Sequence, residues 1–340
     1  MTTFVSAFVD LSALENNQKR RDPKSYLKHT QKLLSEDIFL YLFLEEDMAE
    51  TVRNIRKEQG LQEKTFVQII DFSKIFMYTY FDEIAQNRKN KTVVNANGTK
   101  DTAAYITLVN NKMAFVKEAI QHNPFDSAHF GWVDFGIYHV ATPYQESPFL
   151  ISSDLIKMQM LQPFAPDQML IPERQYRKIE GRFSAGFITG SKDNWIRFID
   201  VFYEELLGSI RAGYGPSEEQ VFPVVVIKNP DLFTFYYGNY ESILCNYQHQ
   251  TILFGYCNYY LRKCKRLNYG QGREMSLLFF EHIEAGFGKP EDGNHLSSIL
   301  GFLNQAAIYH PEMRPRVHQV FLRLRKEYAF FRSLQPNLFK

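Results

Sequence analysis

Residues 2–10 read Thr-Thr-Phe-Val-Ser-Ala-Phe-Val-Asp, a short apolar run that is typical of a strand buried on both faces of a sheet. A similar run, Asp-Ile-Phe-Leu-Tyr-Leu-Phe-Leu-Glu, occupies residues 37–45, and a third lies at residues 66–70. Pro23 is predicted to open a helix after the first run, and residues 49–57 form a charged helix after the second. Alternating strands and helices of this kind predict an α/β fold with a parallel sheet and helices on its faces.

The pattern continues along the chain with further helices and strands. The additional predicted helices span residues 103–121 and 194–211, and the additional predicted strands span residues 130–134, 182–189, 221–227 and 233–237. Residues 87–101 are polar and predict an exposed loop. Residues 141–180 are rich in proline and predict an irregular excursion from the sheet, in the manner of a lid over a site. From about residue 251 onward the sequence is mainly helical in character.

Charge and cysteine content narrow the classes of function. The 340 residues include 39 basic and 38 acidic side chains, a net charge of +1, which disfavours a nucleic-acid partner. Three cysteines, Cys245, Cys257 and Cys264, match no zinc spacing and no disulfide framework, which favours a reducing compartment. The N-terminus lacks a basic leader and no run reaches the roughly 18 apolar residues of a membrane span. We therefore expect a cytoplasmic protein without a transmembrane segment.

One candidate site residue, Asp134, follows an apolar strand in the sequence Gly131-Trp132-Val133-Asp134-Phe135-Gly136. A carboxylate at the carboxyl end of a strand lies where open α/β sheets bind ligands, and Gly136 allows a tight turn beside it. Such a carboxylate suits a divalent cation that neutralises a diphosphate. The alternative is that Asp134 only caps a turn, as aspartate commonly does.

Two further segments are candidates, each with a structural alternative. Gly215-Pro216-Ser217-Glu218-Glu219-Gln220 places two acids where they serve as a general base or as substrate ligands, or else start a capped helix. Ser184-Ala185-Gly186-Phe187-Ile188-Thr189-Gly190 offers a flat wall for a sugar, or else a β-bulge. Among the nine histidines, His249 alone is singled out, and its alternative is an ordinary loop position.

Taken in order, these segments resemble the bacterial HtrL/YibB family, which is similar to glycosyltransferases of the GT-A fold. The matching segments are residues 3–10, 111–112, 132–136, 184–190, 218–220 and 229–240. The resemblance covers about residues 1–265, so it implies a GT-A-like, Rossmann-like domain with a mixed sheet over 1–265, and residues 266–340 are expected to form a helical C-terminal extension.

The resemblance also implies a function and a set of site residues. A sugar would be transferred from a nucleotide-diphosphate sugar to an unknown glycan, lipid or protein acceptor. Ala7, Phe8 and Asp10 would line the base and ribose, and Lys112 and Trp132 would lie near the strand end that carries Asp134. Gly186 would floor the acceptor side, and Glu219, with Glu218 second, would supply the acid that faces the transferred sugar.

The sequence departs from the GT-A pattern at the metal turn. GT-A enzymes usually carry Asp-x-Asp there, whereas this chain has Asp134-Phe135-Gly136. Three alternatives follow: Asp134 binds Mn²⁺ or Mg²⁺ with help from His249, the reaction needs no metal, or the protein is a non-catalytic nucleotide-sugar-binding or assembly protein on a degenerate transferase fold. Aromatic and basic residues are interleaved after residue 251, which predicts either helices packed on a core or a surface that docks on a partner protein or on a second copy of this chain.

Overall fold

A computed structural model describes residues 1–12, 23–90, 101–144, 146–161, 169–238, 240–248 and 293–335. His249, Cys257 and Cys264 lie outside the described residues. The described residues form one seven-stranded sheet with helices on both faces. Its strands are β1 (Thr2–Phe8), β2 (Phe39–Leu44), β3 (Thr65–Ile69), β4 (His129–Val133), β5 (Ile156–Met160), β6 (Phe183–Ser191) and β7 (Phe233–Tyr237).

The helices alternate with the strands and are followed by a helical C-terminal region. They are α1 (Pro23–Ser35), α2 (Glu46–Glu58), α3 (Phe81–Asn90), α4 (Ala103–Asn110), α5 (Lys112–His122), α6 (Pro172–Arg177), α7 (Lys192–Arg211), α8 (Glu218–Lys228), α9 (Gly293–Tyr309), α10 (Arg314–Glu327) and α11 (Ala329–Arg332). This confirms the predicted α/β class, with a mixed sheet flanked by helices and a helical C-terminal region. None of the helices within the described ranges combines the length and apolar character needed to cross a membrane.

The strand order is β3-β2-β1-β4-β6-β5-β7, and it creates a switch point in the middle of the sheet. From β1 the chain builds outward through β2 and β3 by parallel pairing, and it then returns to place β4 parallel to β1 on the other side. β6 pairs antiparallel with both β4 and β5. In open α/β sheets, the carboxyl ends of strands on either side of such a switch point form a crevice that binds ligands.

The central strands are apolar because both of their faces are covered. In β2, Leu40, Leu42 and Leu44 point into one hydrophobic cluster, whereas Tyr41 and Phe43 point into the other. This alternation follows from the two-residue period of a strand. The apolar side chains of β2 are therefore divided between two hydrophobic clusters, one on each face of the sheet, as the sequence predicted for a strand buried on both faces.

Several sequence-based predictions of local structure are wrong. Residues 221–227 form part of helix α8 and not a strand. The stretch 141–180 contains β5 and α6, so it contributes a sheet strand. Residues 87–90 belong to α3, where Asn87 is buried and its amide donates to Ile210 and Tyr214 carbonyls, so this part is not an exposed loop. The predicted helix over 103–121 is broken at Asn111, whose side chain accepts a hydrogen bond from the Met77 N–H.

The C-terminal helices bury three of their phenylalanines almost completely. Phe302, Phe321 and Phe331 are at most 1% exposed and belong to the same hydrophobic cluster as Val5 of β1. Basic residues of α10 such as Lys326 face outward. The interleaving of aromatic and basic residues in this part of the chain is therefore that of amphipathic helices on a core. Self-association through these helices, and a boundary at residue 265, stay predictions.

Candidate functional site

A crevice of about 340 Å³ lies at the carboxyl ends of β1 and β4, at the switch point of the sheet. One wall continues β1 and the other is the turn after β4, and helices α4 and α5 close the back. The residues named from the sequence that line it are Ala7, Phe8, Asp10, Lys112, Trp132 and Asp134. The volume falls in the range of small-molecule sites in proteins, at its lower end.

Lys112 forms the centre of an ion cluster at this crevice. Its ammonium lies 2.9 Å from Asp134 Oδ1 and 3.0 Å from Glu218 Oε1, and it donates to the Ala185 carbonyl at 3.2 Å. The residue is 7% exposed. Burial lowers the pKa of Lys112, but the charges of Asp134 and Glu218 outweigh burial and hold it above its ordinary value. The ammonium is thus a fixed positive charge that ties together α5, the β4 turn, β6 and α8.

Asp134 is held in place from three sides. Its Oδ1 also accepts a hydrogen bond from Trp132 Nε1 at 2.8 Å, and its backbone N–H donates to the Gly186 carbonyl at 2.9 Å. A Cβ on Gly186 would lie 3.3 Å from Asp134 Oδ2 and 3.0 Å from Ile243 Cδ1. Glycine at 186 therefore lets β6 approach the aspartate closely, and Asp134 has more than the turn-capping role.

Glu218 and Glu219 begin α8, where Ser217 and Gln220 form a capping box. The predicted capped helix start is confirmed, and acids at this end of a helix favour the helix dipole. The role of the two acids as a general base or as substrate ligands stays a prediction. Glu218 is 4% exposed and contacts Lys112. One carboxylate of the ion cluster, that of Glu218, is therefore positioned by helix α8, part of which the sequence predicted as a strand.

Glu219 has the properties of a group that exchanges protons near neutral pH. Burial, and then the like charge of Glu218, raise the pKa of Glu219 to about 7, although Lys112 and the Ala185 N–H oppose the rise. The Tyr240 hydroxyl donates to the Glu219 carboxylate at 3.3 Å. Glu219 is not one of the residues that line the crevice, but it interacts electrostatically with Lys112 and Asp134, which do line it.

The site also contains two tyrosines that were not predicted from the sequence. Tyr105 on α4 lines the crevice, and burial followed by the charge of Glu218 raises its pKa above the ordinary value. Tyr240 follows β7 and reaches Glu219, and burial followed by the charge of Glu219 raises its pKa as well. Both are far along the chain from their partners, and only the folded sheet brings them together.

A divalent cation such as Mn²⁺ or Mg²⁺ needs several carboxylate, carbonyl or imidazole ligands around one point. Among the described residues, no group of three or more His, Cys, Asp and Glu side chains is placed to hold a metal ion. Gly136 occupies the position where the GT-A pattern has its second acid, so no side chain is present there to bind a cation. The Lys112 ammonium already occupies the cation position next to Asp134. The described residues therefore do not fit a resident Mn²⁺ or Mg²⁺; the contribution of His249 stays a prediction, because His249 lies outside them.

The chain is similar to known proteins in both structure and sequence. A solved structure of mouse xyloside xylosyltransferase 1, in its apo form, superposes with a TM-score of 0.37 and 11% identity, over 69% of this chain and 85% of that one. Protein HtrL of Escherichia coli (strain K12) is 22% identical over 263 residues, which are 69% of this chain and 87% of the relative. The model of the HtrL_YibB family, described as a bacterial protein of unknown function, matches residues 1–247. The chain belongs to the HtrL_YibB family.

Proposed function

We propose that this protein is a glycosyltransferase that binds a nucleotide-diphosphate sugar in the switch-point crevice and moves the sugar to an acceptor. One observation carries the proposal: the crevice opens at the carboxyl ends of β1 and β4, with a fixed ion cluster on one side of it. Crevices at this place in open α/β sheets are where nucleotides bind. The acceptor is a hydroxyl of a glycan, lipid or protein.

The residues divide into a donor side and an acceptor side. Ala7, Phe8 and Asp10 continue β1 into the crevice and suit the base and ribose. In the transfer step, the bond between the anomeric carbon and the diphosphate breaks, a bond to the acceptor oxygen forms, and the acceptor proton leaves. Glu219, with a pKa near the working pH, suits a general base that takes this proton. Glu218 holds Lys112 and is assigned a supporting role.

One observation favours the alternative, a non-catalytic nucleotide-sugar-binding or assembly protein on a degenerate transferase fold. Asp134 Oδ1 is already engaged by both Lys112 and Trp132, and Gly136 stands where the GT-A pattern has its second acid. Binding without turnover is the outcome that this alternative predicts.

Calorimetry with uridine and guanosine diphosphates, with Mn²⁺ and with a chelator, tests the proposal. We expect at least one nucleotide to bind. Asp134→Asn should weaken its binding about tenfold, or about 1.4 kcal/mol, with the fold intact, because the aspartate holds the Lys112 ammonium and the Trp132 indole at the crevice. Asp200→Asn is a matched control, because Asp200 is an exposed aspartate that pairs with Lys117 on the protein surface. Binding of neither nucleotide would contradict the proposal.

Kinetics then separate the transferase from the binding protein. Glu219→Gln should lower turnover and leave the dissociation constant of the donor nearly unchanged, since Glu219 does not line the crevice. Glu218→Gln should affect both quantities, because Glu218 fixes Lys112. Wild-type donor binding with no turnover on any acceptor tried would favour the non-catalytic alternative.

A further inference from the structure

The Lys112 ammonium has every one of its donors occupied by the protein. Its three N–H groups face Asp134 Oδ1 at 2.9 Å, Glu218 Oε1 at 3.0 Å and the Ala185 carbonyl at 3.2 Å. These are two carboxylates and a carbonyl, the hard oxygen ligands that divalent cations such as Mg²⁺ and Mn²⁺ also take. The lysine nitrogen therefore lies where a metal ion bound by the same oxygens would have to lie.

The local charge balance shows why a cation is required there. Asp134, Glu218 and Glu219 all act electrostatically on Lys112 or on one another, and Lys112 is the cation among them. Tyr105, the other titratable group that acts on Lys112, is neutral because its pKa is raised. Buried carboxylates need a positive partner, and without the ammonium Glu218, at 4% exposure, would be left unpaired.

We propose that Lys112 is a built-in substitute for a divalent cation, and that Asp134 and Glu218 bind no Mn²⁺ or Mg²⁺ while the lysine is in place. The ammonium and a metal ion exclude each other, because a metal ion would need to come within about 2.2 Å of the same oxygens that contact the ammonium. Removing the ammonium leaves a latent metal site made of Asp134, Glu218 and the Ala185 carbonyl. The proposal concerns the free protein and does not require the proposed transferase function.

Mn²⁺ binding to the nucleotide-free protein, followed by electron paramagnetic resonance, tests this proposal. We expect the wild-type chain to show no Mn²⁺ whose binding depends on Asp134, so that wild type and Asp134→Asn give the same titration. Lys112→Met keeps the length of the side chain and removes its charge. This variant should bind one equivalent of Mn²⁺ that the wild type does not bind, with an affinity at least tenfold higher than that of the wild type. The double variant Lys112→Met/Asp134→Asn should lose that gain.

Lys117→Met is the matched control, because Lys117 lies on the same helix and pairs with exposed Asp200. It should titrate like the wild type. One equivalent of Mn²⁺ bound by the wild type and lost in Asp134→Asn would overturn the proposal, and this comparison decides it even if Lys112→Met does not fold. A folded Lys112→Met that gains no Mn²⁺ would also overturn it. No nucleotide is present, so neither outcome bears on whether the crevice binds nucleotide-diphosphate sugars.

Discussion

Replacing Glu219 with Gln should make the protein more stable at alkaline pH and leave it nearly unchanged at acidic pH. Burial and Glu218 raise the pKa of Glu219 from 4.5 to about 7, so the folded state holds a proton that the unfolded state has already released. Between these two values the folded state binds more protons, and the free energy of unfolding therefore falls as the pH rises. Glutamine resembles the protonated acid in shape and never loses the proton, so the variant avoids this loss.

The size of the effect follows from the two pKa values. A rise from 4.5 to about 7 corresponds to a loss of about 3 kcal/mol once the pH exceeds both values. Glu219 is partly exposed, and its titration is shared with Glu218 and Lys112, so we expect about half of this, roughly 1.5 kcal/mol. At pH 5 most of the difference is absent.

Urea denaturation of the wild type and of Glu219→Gln at pH 5, 6, 7 and 8 measures this difference. The gap in free energy of unfolding should open between pH 5 and 7 and stay constant above pH 8. Glu58→Gln, an exposed acid at the end of α2, controls for the loss of a surface charge and should track the wild type. A gap that does not change with pH, or a variant that is less stable than the wild type at pH 8, would refute the reasoning.

Three further perturbations test the scaffold and the site. Arg56→Met should cost about 3–5 kcal/mol in urea denaturation, because the buried guanidinium donates to Leu34 and Ile38 carbonyls, whereas exposed Arg53→Met should cost little. Gly186→Ala should weaken nucleotide binding about tenfold, because the added Cβ would push on Asp134. Gly208→Ala is the control, since an added Cβ there meets nothing within 4 Å, and it should bind nucleotide like the wild type. Equal binding by both variants would contradict the close approach of β6 to Asp134. Removal of residues 266–340 should expose the hydrophobic core and reduce solubility, because aromatic residues of the C-terminal helices belong to the main core. A truncated protein that stays soluble and folded, binds nucleotide and has lost self-association in light scattering would instead support a separate extension.

The sheet could be predicted from the sequence where strands are buried on both faces. The runs at β1, β2 and β4 are short and continuously apolar, and their order with the intervening helices gave the fold class. Residues 221–227 are also continuously apolar, and for that reason they were predicted as a strand although they form part of helix α8. Helix α8 is buried on nearly every side, so it lacks a 3.6-residue polar period and reads like a buried strand. The capping box of Ser217 and Gln220 was the signal that could have identified the helix.

The candidate site could be predicted only in part. Asp134 was identifiable because an acid after an apolar strand marks a strand end, and the family resemblance drew attention to Lys112 and Glu218. That Lys112 bridges the two acids could not be read from spacing, because it depends on the break at Asn111 and on how α8 packs against β6. Tyr240 was not foreseen as a partner of Glu219 because its position depends on where the chain turns after β7.

Hydrogen–deuterium exchange with and without a saturating nucleoside diphosphate tests the central claim, binding at the switch-point crevice, most directly. The crevice walls are two separate segments, residues 7–11 at the carboxyl end of β1 and residues 132–137 at the carboxyl end of β4. We predict that nucleotide slows amide exchange in both segments together, with little change in the distant helix α10. Protection confined to other parts of the chain, or tight binding that leaves both segments unchanged, would contradict the account.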